Sequence, residues 1–133
     1  MNISHETPNS NEYIKLRKAV GLGSMDNSVA DIALKNSLFS VIVRGEDSKL
    51  MAMGRIIGDG ACYFQIVDIV VHPSHQEPRL EEMIIKELLA YLANKASKDA
   101  DILVIADVAK IKMYQRLGFK LIYPEFYGMS IKM

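Results

Sequence analysis

The chain has 133 residues, half of them hydrophobic and 24% charged, and its 16 basic and 16 acidic residues give a formal net charge of zero. This length and balance are typical of one soluble domain spanning residues 1–133, and the zero net charge argues against a dedicated nucleic-acid binder. A single cysteine, Cys62, excludes an internal disulfide and favours a reducing, cytoplasmic compartment. The polar amino terminus is unlike a signal peptide, and no apolar run approaches the ~20 residues of a membrane span.

Two helices are predicted before the first main strand, after residues 1–9, which form a short arm or an entering strand. Apolar residues recur at helical spacing behind a capping Asn9 or Ser10: Tyr13, Leu16 and Val20. Glycines within residues 21–23 end this helix. A second, short helix is predicted from the candidate N-cap Ser28 to about Asn36.

Three β-type runs follow, separated by short turns that contain glycine. They are Phe39–Arg44, Leu50–Ile57 and Ala61–Val71. Because links this short join only antiparallel neighbours, the runs predict a three-stranded antiparallel meander.

The carboxyl-terminal half predicts a crossover unit and a closing pair of strands. Pro78–Ser97 has the apolar stripe of a long helix, and Ile102–Ala106 is an apolar run typical of a strand buried on both sides. This strand is expected to lie parallel to Ala61–Val71. A further helix spans Val108–Leu117, and two closing strands are predicted at Phe119–Tyr123 and Gly128–Lys132. The order ααβββαβαββ describes an α/β protein with one mixed sheet and helices on both faces.

Three local sequences carry a family resemblance in this element order. Residues 68–76 (DIVVHPSHQ) are similar to a strand that runs into V-x-P-x-x-Q, residues 114–119 (YQRLGF) to Y-x-x-x-G-F, and residues 16–21 (LRKAVG) to an opening L-R-x-x-V-G helix. Together they resemble the GNAT superfamily of acyl-CoA N-acyltransferases. The resemblance implies the GNAT-like fold and covers nearly the whole chain.

The resemblance also implies an activity and a cofactor site. It implies an enzyme that moves an acetyl group from acetyl-CoA to a primary amine by direct attack, without a metal. In the family, the amide-bearing arm of the cofactor pairs with the central strand like an added strand, here at the backbones of Ile69 and Val71. The turn and helix start that follow hold the pyrophosphate, which implies Gln76, Arg79 and Leu80 as further cofactor-binding residues.

The pyrophosphate loop departs from the family pattern. Arg79 and Glu81 stand at the two positions where the family has glycine, and Pro78 lacks an N–H donor. Together with Glu77 and Glu82, Glu81 forms an acidic first turn, which stabilises a helix but repels a phosphate. Two interpretations stay open: a loop that still binds acyl-CoA, and a non-catalytic GNAT-fold binding module whose acyl-CoA site has decayed.

Tyr114 is the predicted catalytic residue, because it matches the tyrosine of Y-x-x-x-G-F. That tyrosine protonates the departing CoA thiolate in the family, and a phenol with a pKa of about 10 stays protonated at neutral pH. The structural alternative is a tyrosine that only packs its ring. The general base is left open between Asp68 and His72, and Cys62 is expected to be a buried, inert thiol in a strand.

The acceptor is expected to be an amine on a small molecule or a protein, bound near the first two helices and residues 24–27. Neither nucleic acid nor membrane is an expected partner, and a homodimer through the last strands, frequent among similar proteins, stays open. A third interpretation is an unrelated mixed-sheet enzyme that shares only the element order.

Overall fold

The computed structural model describes all 133 residues and contains five strands and four α-helices. The strands are β1 (Asn2–Ser4), β2 (Phe39–Arg44), β3 (Leu50–Gly58), β4 (Tyr63–Val71) and β5 (Asp101–Val104). The helices are α1 (Ser10–Ala19), α2 (Asn27–Lys35), α3 (Pro78–Lys95) and α4 (Ile111–Arg116). Short 3₁₀ turns precede α3 and α4, at Pro73–His75 and Val108–Lys110. No helix is both long and apolar enough to cross a membrane.

All strands belong to one mixed sheet, in the order β1-β2-β3-β4-β5. Neighbours from β1 to β4 are antiparallel, and β5 is parallel to β4. The predicted meander and crossover unit are therefore confirmed, and residues 2–4 form the entering strand.

Helices cover both faces of the sheet. Successive residues of a strand point to opposite faces, so β2 contributes Val41 and Val43 to one core and Ile42 to the other. On one face, α3 packs its buried stripe against the strands through Leu80, Ile84, Leu88 and Leu92. On the other, α1 and α2 bury Tyr13, Leu16, Ala30 and Leu34.

Side chains of α3 pack closely over Gly54 of β3, which is buried. A Cβ atom at this position would lie 2.6 Å from Ile69 Cδ1, 2.8 Å from Ile84 Cγ2 and 3.0 Å from Leu88 Cδ1. A side chain at this position would therefore force these neighbouring side chains to shift.

A capping box starts α1 at Asn9. The Asn9 side chain accepts a hydrogen bond from the Glu12 N–H at 2.9 Å, and the Glu12 carboxylate accepts one from the Asn9 N–H at 2.9 Å. Two further 2.8 Å hydrogen bonds from Arg44 reach the same carboxylate, which ties α1 to β2. By contrast, α2 begins at Asn27 without a side-chain cap, so the prediction of Ser28 as its N-cap is wrong.

The two closing strands, Phe119–Tyr123 and Gly128–Lys132, are not formed, and these predictions are wrong. The region contains turns and irregular backbone, with one internal hydrogen bond from Phe126 N–H to Ile122 C=O at 2.9 Å. Alternating apolar and polar residues indicate that a segment would have one apolar and one polar face as a strand. To form a strand, the segment also needs the edge of a neighbouring strand for its backbone hydrogen bonds. The four-residue β5 carries no second neighbour.

The outer side of β5 is consequently open to solvent. Leu103 is 43% exposed and Ile105 is 77% exposed, so the prediction of a strand buried on both faces is wrong. Cys62 also differs from expectation: it lies exposed in the turn before β4 rather than buried within the strand.

Candidate active site

The parallel strands β4 and β5 separate midway along β4. Tyr63–Ile66 pair with Asp101–Val104, whereas Val67–Val71 have no partner on this side. The central strand is therefore open beside Ile69 and Val71, where the family resemblance implies that the cofactor arm pairs. Backbone N–H and C=O groups along such an open edge need hydrogen-bond partners from water or from a ligand.

A cleft of about 510 Å³ opens between the two diverging segments. Residues 66–71 form one wall and residues 104–107 the other. Further side chains reach it from the elements that follow each strand and from the α1 end: Gln76, Glu81, Lys110, Tyr114, Arg17, Val20 and Leu22. Its volume and its largely apolar lining are typical of a small-molecule site.

Tyr114 lies on α4 at the wall of this cleft and is only 6% exposed. Its ring packs in a small core with Ile85 and Met113, and it meets the Phe119 ring edge-on at a centroid distance of 5.5 Å. Burial, reinforced by the negative charge of Glu81, raises the pKa of Tyr114 to about 12. The phenol therefore stays protonated through the neutral range while it faces the cleft.

Among the predicted cofactor-binding residues, the structure brings Ile69, Val71 and Gln76 together at the cleft that also holds Tyr114. The Gln76 amide donates a hydrogen bond of 3.0 Å to the Val71 carbonyl, so the side chain is fixed at the end of the open edge. The roles of Ile69, Val71 and Gln76 in cofactor binding stay predictions, but all three residues lie at the same cleft.

Arg79 and Leu80 are not brought to this cleft. Leu80 is 2% exposed and belongs to the core beneath α3, whereas Arg79 borders a separate hollow on the outer side of the helix, beside Glu77 and Met83. The cause is the helical phase, since successive residues point about 100° apart. The sequence resemblance places a residue in the loop but does not fix the direction of its side chain.

Asp68 forms a hydrogen-bond hub that sequence analysis did not find. Its carboxylate accepts hydrogen bonds from Tyr13 Oη at 2.6 Å, Arg17 Nη1 at 2.8 Å and Arg55 Nε at 2.7 Å. The side chain is 9% exposed. Because both carboxylate oxygens are engaged by two guanidinium groups and a phenol, the geometry gives Asp68 a structural role rather than that of the general base.

The backbone at Asp68 explains why the strand opens here. Asp68 has a φ of +54°, and the β3–β4 register shifts between Met53 and Arg55, opposite this residue. Aspartate tolerates the left-handed conformation better than most residues, and such a bulge bends a strand. The hub residues come from α1 and β3, 51–55 and 13 positions away, so no local motif signals them.

His72, the second candidate base, does not face the cleft. Its Nδ1 accepts a hydrogen bond from the Ser74 N–H at 3.1 Å, and its side chain borders a hollow beside Lys15 and Leu50. No group of three or more His, Cys, Asp or Glu side chains is placed to hold a metal ion.

An ion pair joins the two sides of the cleft. Lys110 Nζ, on the turn that follows β5, lies 2.7 Å from Glu81 Oε2 in the first turn of α3, which follows β4. The Glu81 side chain is 15% exposed and that of Lys110 36% exposed. Glu81 stood out in the sequence because it replaces a glycine, but no sequence signal marked Lys110.

In this chain a mixed sheet opens between two parallel strands, and a buried tyrosine lies beside the open edge. This arrangement is that of an acyltransferase fold. The family model of the acetyltransferase (GNAT) domain matches residues 17–133. The chain therefore belongs to the GNAT acetyltransferase family.

Individual relatives agree with this assignment. The chain is 29% identical over 119 residues to the uncharacterized N-acetyltransferase ycf52 of Pyropia yezoensis, covering 87% of this chain and 67% of that protein. A solved structure of SA2161, a probable acetyltransferase of unknown function from meticillin-resistant Staphylococcus aureus, is 32% identical with a TM-score of 0.90, covering 99% and 98% of the two chains. A GNAT acetyltransferase from Brucella melitensis, solved in complex with acetyl-CoA, shares the fold at 20% identity and a TM-score of 0.64, over 90% and 82% of the chains.

Proposed function

We propose that this protein transfers an acetyl group from acetyl-CoA to a primary amine of a small molecule or a protein, and that the amine attacks the thioester directly. The observation that carries the proposal is the shared location of the Val67–Val71 edge, which has no partner strand, and the side chain of Tyr114 in one cleft. Family membership supports acetyl transfer in general, and the cleft supports the particular arrangement.

The residues beside the open edge fit the amide-bearing arm of acetyl-CoA. Over Val67–Val71 the strand has no partner strand on this side, although the Val71 carbonyl already accepts from Gln76, and an arm with amides can add to such an edge as another strand does. Ile69 and Val71 are the proposed backbone contacts, and Gln76 closes the end of the edge. When bound there, acetyl-CoA supplies an activated acyl group.

Tyr114 is proposed to hold the proton that the departing thiolate requires. Its pKa of about 12 keeps the phenol neutral before the reaction, so it can donate a hydrogen bond to a sulfur that is gaining negative charge. Direct attack is supported by the side chains of the cleft, which include no serine, threonine or cysteine that could carry the acyl group.

The central experiment compares the wild type with Tyr114→Phe. Acetyl-CoA turnover is followed as released thiol with a panel of primary amines, such as polyamines, amino acids and lysine peptides. We expect kcat to fall about 10²-fold or more while the KM for acetyl-CoA changes little, because general acid catalysis contributes about 10²–10⁴. Tyr63→Phe is the matched control, since Tyr63 is 66% exposed at the start of β4.

Unchanged turnover in Tyr114→Phe would refute the acid role and favour an acyltransfer mechanism without this residue. A second candidate function, a non-catalytic module of the same fold, is favoured by one observation: Glu81 places a carboxylate where a phosphate is expected to bind. Isothermal titration separates the two functions. Absence of heat with millimolar acetyl-CoA would support the module and refute the enzyme.

A further inference from the structure

Lys110 is the one cation of the cleft that is not bound to the Asp68 hub. The charged residues of the lining are Arg17, Asp68, Glu81, Asp107 and Lys110, and Arg17 already donates to Asp68. Lys110 instead pairs with Glu81 across the cleft, at 2.7 Å. An anion that enters the cleft from the α3 side therefore meets Lys110 as its available positive charge.

The start of α3 offers little else to an anion. Pro78 has no N–H, and the Leu80 N–H already donates to the Glu77 carbonyl at 3.0 Å. Glu77 and Glu81 bring negative charge to the same turn, which opposes the attraction of the helix dipole. Few backbone donors thus remain at this turn, among them the Arg79 N–H, and a cationic side chain would supply the charge that a diphosphate requires.

The other cations near this end do not line the cleft. Arg79 and Lys86 border the outer hollow, and Arg116, which lies 3.5 Å from the carboxylate of Glu82, is not among the residues of the cleft wall. Lys110 has a flexible four-carbon stem and is partly exposed, so its ammonium group can move between two acceptors at modest cost.

We propose that Lys110 is the side chain that binds the diphosphate of the acyl donor, and that Glu81 holds Lys110 in the cleft until the donor replaces the carboxylate. This inference rests on the proposed function and adds to it a binding residue. The exchange leaves Glu81 without its partner beside a phosphate of like charge, so Glu81 lowers donor affinity. Donor affinity is then set by a competition between one carboxylate and one diphosphate for a single ammonium group.

The test uses two donors, of which only acetyl-CoA carries the diphosphate that Lys110 is proposed to bind. Acetyl-CoA carries the diphosphate and nucleotide, whereas S-acetylpantetheine keeps the thioester and both amides but has no phosphate. Isothermal titration measures each donor against the full-length wild type, Lys110→Met and Glu81→Gln. The matched controls are Lys112→Met on the exposed side of α4 and Glu46→Gln in the β2–β3 turn, which change net charge equally outside the cleft.

Lys110→Met is expected to weaken the binding of acetyl-CoA about 10-fold or more, because one hydrogen bond to a charged group contributes about that much. The affinity for S-acetylpantetheine is expected to stay unchanged. Glu81→Gln is expected to increase the affinity for acetyl-CoA several-fold, again without effect on the affinity for S-acetylpantetheine. Both controls are expected to bind as the wild type does. Circular dichroism melts establish that each variant is folded.

Four results would overturn the inference. If Lys110→Met weakens the binding of both donors equally, Lys110 maintains the structure of the cleft and does not contact the phosphates. Unchanged acetyl-CoA binding by Lys110→Met would exclude the contact while leaving the proposed function intact. Weaker acetyl-CoA binding by Glu81→Gln would show that the ion pair is needed in the bound state. Absence of binding of both donors by the wild type and by every variant would refute the proposed function, and this inference with it.

Discussion

Replacing Asp68 by asparagine removes the negative charge at the centre of the hub. Asparagine has nearly the same shape and also tolerates the left-handed backbone, so the φ of +54° at this position adds no strain. The change leaves the Arg17 and Arg55 guanidinium groups without their shared counter-charge, and it replaces one of the two accepting oxygens by an NH2 donor. Asp68→Asn should therefore report the contribution of the hub, charge and hydrogen bonds together, to folding.

The size of the effect follows from burial. Asp68 is 9% exposed, and Arg55 and Arg17 are 11% and 21% exposed at their side chains. Removing one partner of a buried ion pair costs about 3–5 kcal/mol. Because water reaches part of Arg17, we expect the lower end, about 3 kcal/mol of the free energy of unfolding. With a urea slope of about 1.5 kcal/mol per M, the midpoint falls by about 2 M.

The chain offers a matched control in Asp99, which is exposed and has a φ of +64°. Asp99→Asn makes the same chemical change at the same kind of backbone position, without the hub, and should shift stability by less than about 0.5 kcal/mol. A loss below about 1 kcal/mol in Asp68→Asn, or equal losses in the two variants, would refute the reasoning.

Three further predictions concern stability and ionisation. Gly54→Ala should cost about 1–3 kcal/mol in urea unfolding, because the added methyl overlaps the side chains of α3 that face it. The Tyr114 phenol should ionise near pH 12 when its tyrosinate absorbance is followed. The stability that the buried neutral phenol contributes is therefore complete below about pH 10 and is lost as the pH rises to about 12. Glu81→Gln should lower the pKa of Tyr114. The Arg44 ion pair lowers the pKa of Glu12 below 4.5, so the stability that this pair contributes is present above that pH and is lost on further acidification. Glu12→Gln should remove this acid-sensitive contribution and lower the free energy of unfolding by about 1 kcal/mol.

Each of these predictions has a result that contradicts it. A Gly54→Ala protein as stable as the wild type would mean that α3 shifts freely. Ionisation of Tyr114 near pH 10 would place the phenol in water, and an unchanged pKa in Glu81→Gln would exclude an influence of the Glu81 charge. An unchanged acid transition in Glu12→Gln would show that the contact with Arg44 contributes nothing measurable in solution.

Sequence patterns predicted the elements whose signals are local. The long helix α3 and the meander β2–β4 follow from strong periodicity and short glycine turns, and both are confirmed. The closing strands at Phe119–Tyr123 and Gly128–Lys132 carried the same kind of pattern but are absent. Their formation depends on a partner edge elsewhere in the molecule, which periodicity cannot supply.

The candidate site divides in the same way. The backbone positions Ile69 and Val71 and the side chain of Tyr114 could be placed by motif, because each motif sits on a regular element that reaches the cleft. The Asp68 hub and the Glu81–Lys110 pair could not, since their partners meet only after the chain has folded. Motifs thus indicated where the cleft lies, and tertiary structure decided which charges line it.

The shared carboxylate of Asp68 has a consequence for how the two sides of β4 communicate. Tyr13 and Arg17 fasten α1 to the same residue whose backbone bend frees the edge of the strand. Arg17 also lines the cleft, so a molecule that contacts Arg17 and a molecule seated along the edge both meet this hub. Where one of them changes the affinity for the other, thermodynamic linkage makes the effect reciprocal and equal in size.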